Sequence, residues 1–297
     1  MKITDVRSVV VGNPWKNWVF VILETDEGIT GVGEATGGLS TKPQVAALEE
    51  MKHLVIGRDP RDVHALWNHL YLSAFLNHSS ATSGIEMACW DILGKSLGVP
   101  VWRLLGGRVR DRVRVYANGW YTGPHTPEGF AKKAKEVMAK GYTALKFDPF
   151  GGAYMKLSRR EARHCQEIVA AVREAVGPDV DILIEGHDRF SISAAIEIAN
   201  WLAEYEPTWF ETPVNSNDLE ATIAVARASP VRVIAGERWR DPRIFARFLA
   251  EEVTDIVNPE PLGLGGIWRT LEVAAIARAH DCDLALHNAE SPFKTMV

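Results

Sequence analysis

From about residue 111 onwards, the sequence alternates between short apolar runs typical of buried β-strands and longer segments with the period of an amphipathic helix. Seven strands and six helices are predicted in strict alternation, the strands being VRVYANG, ALKFDPF, DILIEGH, WFETPV, VRVIAGE, DIVNPEP and LALHNAE. Such a series forms a parallel sheet covered by helices. Because no G-x-G-x-x-G motif follows a strand, a (β/α) barrel is favoured over an open Rossmann-like sheet.

The N-terminal part of the chain has a different pattern. Alternating apolar and polar residues up to about residue 35 predict an antiparallel meander, and three segments of helical period follow between about residues 41 and 97. We therefore predict an N-terminal α+β domain over residues 1–110 and a (β/α) barrel domain over residues 111–297. About ten residues follow the seventh strand, too few for another helix, strand and loop. We expect a barrel that is open, is completed in some other way, or is truncated before its last strand.

Charge and composition narrow the class of partner. A net charge of -5 and a pI near 6.0 argue against a nucleic-acid or anionic-membrane surface, and no apolar run is long enough to span a membrane. A small-molecule substrate fits better. The three cysteines are far apart and lie in apolar contexts, which predicts reduced thiols and a cytoplasmic location.

Acidic residues recur where successive barrel strands end. Glu185, Glu211 and Glu237 are 26 residues apart in turn, about one strand–helix unit, so three adjacent strands deliver them to one rim. Three converging carboxylates raise one another's pKa unless a cation compensates them. Ligation by oxygen alone favours Mg²⁺, with Mn²⁺ as a substitute. Each glutamate alone could instead be a solvated strand end or a salt-bridge partner.

Residues at the same rim could move protons. His287 follows the last apolar strand, and Glu260 ends the preceding one, where it could accept a hydrogen bond from one ring nitrogen and leave the other as a base. His187 should face the same side as Glu185 by strand periodicity and could serve as a general acid. Either histidine could instead be a structural residue.

Further polar residues could contact a substrate. Lys146, which we count among the catalytic candidates, and Asp148 share one face of the second strand and can both face the substrate, although Lys146 could simply neutralise the glutamates. Asn288 lies at the end of the last strand. Trp15 and His78 could line a lid over the site.

Several motifs resemble those of the enolase superfamily, mandelate racemase subgroup. The strand-end motifs are KFD, IEGH, FETP, GER and NPEPLGLGG with LHNAESP, and SGIEMACWDILGKSLGVPVWRLLGG resembles the capping domain of that superfamily. The segments VYANGWY, TPEGFAKKAKEVMAKGYTALKFDPFG and DILIEGHDRFS are similar to gluconate and galactonate dehydratases. The resemblance therefore implies an enolase-type (β/α) barrel whose C-terminal strand is missing, with an N-terminal α+β capping domain.

The resemblance also implies an activity. It implies Mg²⁺ on the three glutamates, a His287 base paired with Glu260, and His187 as the acid that protonates a departing hydroxyl. The expected reaction removes the proton next to the carboxylate of a sugar acid and eliminates the 3-hydroxyl to give a 2-keto-3-deoxy acid. The expected assembly is a homo-oligomer.

Three positions depart from the family pattern. Thr212 replaces the second acid of E-E-P, and Glu260 stands where aspartate is usual. Asp148 ends the second-strand motif that is K-x-K in racemases, which argues against a two-base racemase. An epimerase, a racemase or a cycloisomerase of the same fold remains the alternative, and a non-catalytic protein that binds only a metal or a partner is the alternative from another class.

Overall fold

A computed structural model describes residues 1–73 and 80–297. The N-terminal region contains an antiparallel sheet in the order β1-β2-β3, formed by Ile3–Val11, Trp18–Thr25 and Thr30–Glu34. Alternate residues of β2 are buried, which is the pattern of a strand with one face on the core. The helices of this region are α1 (Thr41–Val55), α2 (Val63–Ser73), α3 (Ser80–Leu97) and α4 (Val101–Leu104).

Helix α3 packs against the backbone of β3. A Cβ atom added to Gly33 would lie 1.9 Å from the carbonyl oxygen of Gly84, and one added to Gly31 would lie 2.1 Å from that of Ala88. Only glycine permits so close an approach between the two backbones. This packing holds one face of α3 on the sheet and leaves the other for contact with the rest of the chain.

The second region alternates strands and helices, as predicted. Its strands are β4 (Ala144–Phe147), β5 (Asp181–Glu185), β6 (Trp209–Glu211), β7 (Val233–Ile234), β8 (Ile256–Val257) and β9 (Asp283–Leu284). Its helices are α5 (Pro127–Met138), α6 (Arg159–Val176), α7 (Ile192–Leu202), α8 (Leu219–Ala228), α9 (Pro242–Leu249), α10 (Pro261–Leu264), α11 (Ile267–Ala279) and α12 (Pro292–Met296).

All strands of this region run parallel. β4, β5, β6 and β7 form one sheet in that order, and β8 pairs with β9. The amide of Asn258 donates to the carbonyl of Ala235 at 3.3 Å and so connects the end of β8 to the end of β7. Every residue of β4 and β6 is buried, as expected for strands covered on both faces.

The first predicted barrel strand is wrong as a strand. Of the run VRVYANG, only Ala117 makes a ladder bridge in the described ranges, through its amide to Ala144 at 2.9 Å and from the amide of Lys146 at 2.8 Å. Val113 is 78% exposed. Apolar side chains stabilise a strand only where neighbouring elements cover them, so a segment that pairs through a single residue is little stabilised as a strand.

Local signals fix the ends of several helices. Ser158 and Glu161 form a capping box at the start of α6, and Asp218 and Asp241 cap α8 and α9. The cysteines carry free thiols. No helix in the described ranges is both long enough and apolar enough to cross a membrane. The boundary between residues 110 and 111 stays a prediction.

Candidate active site

The three glutamates predicted as a cluster lie at the carboxyl ends of neighbouring strands. Glu185 ends β5 and Glu211 ends β6, and the two residues are direct partners in the parallel register. Glu237 follows β7, next along the same sheet. All three are buried. The parallel register explains the arrangement, since it brings the carboxyl ends of successive strands to one edge.

Lys146 contacts two of these carboxylates from β4. Its Nζ lies 2.9 Å from Glu185 Oε2 and 2.5 Å from Glu211 Oε1, and the lysine is 2% exposed. Burial favours the neutral amine, but the two carboxylates outweigh it and raise the pKa of Lys146 well above its usual value. Burial, reinforced by Glu211, raises the pKa of Glu185 to about 8. Lys146 thus makes the contacts that neutralising the glutamates requires, and its catalytic role stays a prediction.

Glu211 has further donors. Asn258 Nδ2 donates to Oε1 at 2.7 Å and Trp209 Nε1 donates to Oε2 at 3.0 Å. In the part of the chain that the structure describes, the buried Asn258 Oδ1 and Thr212 Oγ1 have no hydrogen-bond partner. Unpaired buried oxygens are costly. The oxygen of Asn258 lies beside the carboxylate cluster, because the same side chain binds Glu211, and it is suited to an additional cation or its water.

His287 lies between two carboxylates. Its Nδ1 lies 2.7 Å from Glu260 Oε2, and its Nε2 lies 2.9 Å from Glu237 Oε2. Burial lowers the pKa of the imidazole, but hydrogen bonds to Glu237 and Glu260 outweigh it and raise the pKa to about 9. The predicted proximity of Glu260 and His287 is therefore present, and the contact with Glu237 is additional.

Glu260 is itself fixed on several sides. Its Oε1 accepts from the amide of Leu262 at 3.0 Å, at the first turn of α10, and from the ammonium of Lys294. Burial raises the pKa of Glu260, but Lys294 and His287 outweigh it and lower the pKa to about 2. The sequence reasoning missed Lys294. Its position in α12 gave no sign of the contact, because the two residues are 34 positions apart and meet only through the tertiary fold.

One group of side chains could hold a metal ion as they stand. A carboxylate oxygen of Glu211, a carboxylate oxygen of Glu237 and a ring nitrogen of His287 all lie within 4.8 Å of one another. Glu185 is not part of this group; its oxygens bind Lys146 and the amide of His187, both at 2.9 Å. The predicted triad of Glu185, Glu211 and Glu237 therefore stays a prediction about the metal-bound protein.

His187 lies beside Glu185 on the open side of the sheet. Its φ of 50° is a left-handed conformation, which non-glycine residues adopt rarely and mostly at functional sites. Nδ1 lies 2.6 Å from Asp148 Oδ2, and the side chain is 43% exposed. Burial lowers the pKa of His187, but the hydrogen bond to Asp148 and the negative charges of Glu185 and Asp148 together outweigh it, so the pKa is raised. Asp148 also pairs with Arg189.

Three other residues were predicted to contact a substrate or line a lid: Trp15, Asn288 and His78. Trp15 is 67% exposed, and Lys16 Nζ lies 4.3 Å from the centre of its ring. Lys16 in turn pairs with Glu290 at 2.8 Å, which joins this loop to the segment after β9. The side chain of Asn288 donates through Nδ2 to Thr295 Oγ1 of α12 at 2.6 Å and accepts at Oδ1 from the backbone amide of Glu290 at 2.8 Å, so both of its polar atoms are engaged. His78 lies outside the described residues.

The comparison with protein families is decisive for the fold. Residues 129–297 match the enolase C-terminal domain-like model, and residues 10–106 match the model of the mandelate racemase / muconate lactonizing enzyme N-terminal domain. The chain belongs to the mandelate racemase / muconate lactonizing enzyme family of the enolase superfamily. The predicted resemblance and the predicted fold class, an enolase-type α/β domain with an N-terminal capping domain, are confirmed.

Curated members of this family extend the comparison. D-gluconate dehydratase of Thermoproteus tenax is 40% identical over 284 residues, which cover 94% of this chain and 57% of that protein. D-gluconate/D-galactonate dehydratase of Picrophilus torridus is 33% identical, covering 95% of this chain and 74% of that protein. The chain thus spans a little over half to three quarters of the length of these two relatives.

A solved structure of the family is also similar. An enolase from Agrobacterium radiobacter with sodium and L-malate bound has a TM-score of 0.90 and 29% identity, and the match covers 99% of this chain and 76% of that one. At this similarity the two chains share the fold along nearly the whole described region.

Proposed function

We propose that this protein is an Mg²⁺-dependent dehydratase of sugar acids, acting on aldonates of the gluconate or galactonate kind. The observation that carries the proposal is the pair His187 and His287. Each histidine is hydrogen-bonded to a carboxylate through Nδ1; His187 follows β5 and His287 follows β9, and the three glutamates lie at the ends of β5, β6 and β7. An elimination needs a base and an acid at separate places on one substrate, and this pair supplies both.

The donor set fits a hard divalent cation. Glu185, Glu211 and Glu237 bring three carboxylates to one buried place where Lys146 supplies one ammonium. The unpartnered Asn258 Oδ1 adds a neutral oxygen nearby. Oxygen-rich ligation favours Mg²⁺, with Mn²⁺ as a substitute. When bound, the ion would supply positive charge to the substrate carboxylate and engage Glu237, one of the two carboxylates that keep His287 protonated.

His287 is the proposed base. Glu260 holds Nδ1 in place, so Nε2 is the atom that takes the proton from the carbon next to the substrate carboxylate. Lys294 and the amide of Leu262 fix Glu260 in turn, so the imidazole cannot rotate freely. The usual aspartate of this dyad is replaced by a glutamate that still reaches the ring, which removes one apparent departure from the family pattern.

His187 is the proposed acid. The hydrogen bond to Asp148 favours the protonated ring, which is the form that can give a proton to the leaving hydroxyl. Loss of the hydroxyl from the third carbon as water leaves an enol, which rearranges to the 2-keto-3-deoxy acid. One proton moves to His287 and one leaves His187, so the protons balance.

The substrate class is supported by the named relatives. The two curated relatives are named as dehydratases of D-gluconate and of D-gluconate/D-galactonate, and a solved relative has sodium and L-malate bound. Homo-oligomerisation and a cytoplasmic location stay predictions that accompany this proposal.

The test is direct. The purified protein is incubated with Mg²⁺ and, separately, with D-gluconate, D-galactonate and D-xylonate, and 2-keto products are followed by semicarbazide absorbance. Formation of a 2-keto-3-deoxy acid that is lost in His287→Gln and His187→Asn supports the proposal. A folded protein that binds Mg²⁺ but dehydrates no aldonate would refute it.

The same samples separate the alternatives. Incubation in deuterated water, followed by NMR of the recovered acid, reports exchange at the second carbon. Exchange without dehydration would indicate an epimerase or a racemase. Binding of Mg²⁺ with neither exchange nor dehydration would indicate the non-catalytic alternative.

A further inference from the structure

Glu86 is a buried carboxylate that the proposed mechanism does not use. It lies in α3 of the N-terminal region and is 2% exposed. Its Oε2 accepts from the amide of Ile267 at 2.9 Å, and its Oε1 accepts from the amide of Trp268 at 2.9 Å and from Trp90 Nε1 at 2.7 Å. Burying a carboxylate is costly unless hydrogen bonds compensate it, and these three donors provide that compensation.

The contact caps a helix of the other region. The residue before α11 is Gly266, which has no side chain to bind the free amides of the first turn. Glu86 supplies that cap from α3, since its two carboxyl oxygens accept from the free amides of Ile267 and Trp268. A Cβ atom on Gly266 would lie 2.1 Å from Glu86 Oε2, and the φ of Gly266 is 95°. Glycine at this position therefore makes room for the carboxylate.

The capped segment begins at Glu260. It runs from Glu260 through α10 to the first turn of α11, and the N-terminal region holds it at two further points. Ser83 Oγ donates to the carbonyl of Leu262 at 2.6 Å, and Trp67 Nε1 donates to the carbonyl of Gly265 at 2.8 Å. Leu262 is also the residue whose amide binds Glu260 Oε1 at 3.0 Å. Helices α2 and α3 of the N-terminal region thus bind the backbone of α10 at Leu262 and just after it at Gly265, and α10 begins directly after Glu260, the partner of His287.

A second route reaches the same carboxylate. Glu34, fully buried at the end of β3, accepts from the amide of Ser291 at 3.1 Å and from its hydroxyl at 2.5 Å. Ser291 caps α12, and Lys294 in α12 pairs with Glu260. Both connections run from a buried acid of the N-terminal region to Glu260.

We propose that Glu86 is a positioning residue: through the segment from Glu260 to Trp268 it sets the place of Glu260 and hence the orientation of His287. A reacting imidazole that is displaced by a fraction of an ångström loses rate rather than binding, because the misplaced atom is needed only in the transition state. The effect on turnover rests on the proposed function, whereas the effect on the Glu260–His287 hydrogen bond does not.

The test compares three variants of the full chain loaded with Mg²⁺. Glu86→Gln keeps the shape of the side chain but replaces an acceptor oxygen with a donor. Ser83→Ala removes one contact to the same segment. Asp91→Asn is the matched control, because Asp91 is also an acid of α3 but binds the amide of Val32 and Lys95, both within the N-terminal region.

Two readouts are measured well below the unfolding temperature. One is kcat and KM for the aldonate that the protein dehydrates. The other is the downfield proton resonance of the His287 Nδ1–H in protein labelled with ¹⁵N-histidine, assigned by its absence in His287→Gln. A hydrogen bond to a carboxylate moves this resonance downfield, so it reports the Glu260 contact without any substrate.

We expect Glu86→Gln to lower kcat by about tenfold, as for other residues that orient a catalytic group, with KM unchanged. Its His287 resonance moves upfield or broadens. Ser83→Ala changes both readouts in the same direction by less, and Asp91→Asn changes neither. If Glu86→Gln fails to fold, Ser83→Ala decides the outcome.

The inference is overturned if the folded variants at Glu86 and Ser83 keep the wild-type resonance. It is also overturned if Asp91→Asn shifts the resonance as much as they do, since the effect would then be general loosening. A wild-type protein that dehydrates no aldonate would refute the proposed function alone, and the resonance would still test the positioning.

Discussion

Replacing Lys146 with methionine removes the ammonium between Glu185 and Glu211 and keeps a side chain of similar length. Both carboxylates are buried, and Lys146 Nζ lies 2.9 Å and 2.5 Å from them. Removing one partner of a buried ion pair usually costs about 3–5 kcal/mol, because a charge is left without compensation. Glu211 keeps its contacts with Asn258 and Trp209, so the lower end of that range is expected.

The loss should depend on pH and on cations. Glu185 has a raised pKa of about 8 although Lys146 lowers it, so removing the ammonium raises that pKa further, and near pH 8 and above the variant holds a proton that the wild type releases. The destabilisation of Lys146→Met should therefore grow with pH. Mg²⁺ at 100 times its dissociation constant contributes about 2.7 kcal/mol to the folded state. The variant should gain more from Mg²⁺ than the wild type, because a bound cation there replaces the missing ammonium.

The assay is thermal unfolding with EDTA and with excess Mg²⁺, at pH 6 and pH 9. A loss of about 3 kcal/mol corresponds to a Tm roughly 6–12 °C lower for a chain of this size. Lys133→Met is the control, since the Lys133–Glu136 pair at 2.9 Å is exposed and worth at most about 1 kcal/mol. The reasoning is refuted if Lys146→Met is as stable as Lys133→Met in EDTA, or if Mg²⁺ stabilises both variants equally.

Three further predictions follow from individual side chains. Asp148→Asn should lower kcat by about 10²-fold or more, because His187 loses a partner that raises its pKa. The alkaline limb of the plot of kcat against pH should also move to lower pH, and an unchanged limb would count against His187 as the acid. Burial raises the pKa of Glu86 to about 7 from its usual 4.5, so the folded state binds this proton more tightly than the unfolded state, and the resulting stabilisation is lost as pH rises from about 4.5 through 7. Urea unfolding over this range should show the free energy of unfolding falling by about 3 kcal/mol more in the wild type than in Glu86→Gln, and the same dependence on pH in both proteins would contradict the prediction. Arg173→Met should cost about 2–4 kcal/mol, because its guanidinium binds the carbonyls of Tyr205, Gly177, Val180 and Glu206; the contact fails as an explanation if urea unfolding shows no loss.

The alternation of strands and helices was readable in the sequence because it is a local property. A strand buried on both faces is apolar throughout, and a helix on its surface has a period near 3.6 residues. The same locality explains the error at residues 113–117. Their apolar pattern has the form of a strand, but only Ala117 finds a backbone partner in the described ranges, and pairing is not a local property.

The candidate site could likewise be predicted only as far as it follows from local sequence patterns. The regular spacing of Glu185, Glu211 and Glu237 follows from one strand–helix unit per glutamate, so their common edge could be derived. Neutralisation by Lys146 was an open alternative from the sequence alone, whereas the contact between Glu237 and His287 was not predicted. The ammonium of Lys146 and the imidazole of His287 occupy positions that depend on side-chain rotamers and on the register of distant strands.

The sequence by itself determined the alternation of strands and helices from β4 onwards, the edge at which the acids and histidines meet, and the family to which the motifs belong. Only the tertiary structure decided that Lys294 fixes Glu260 and that Glu86 caps a helix of the other region. The physical reason is distance along the chain. Periodicity records which face of an element is buried, whereas a hydrogen bond between residues 34 or 181 positions apart leaves no trace in either local pattern.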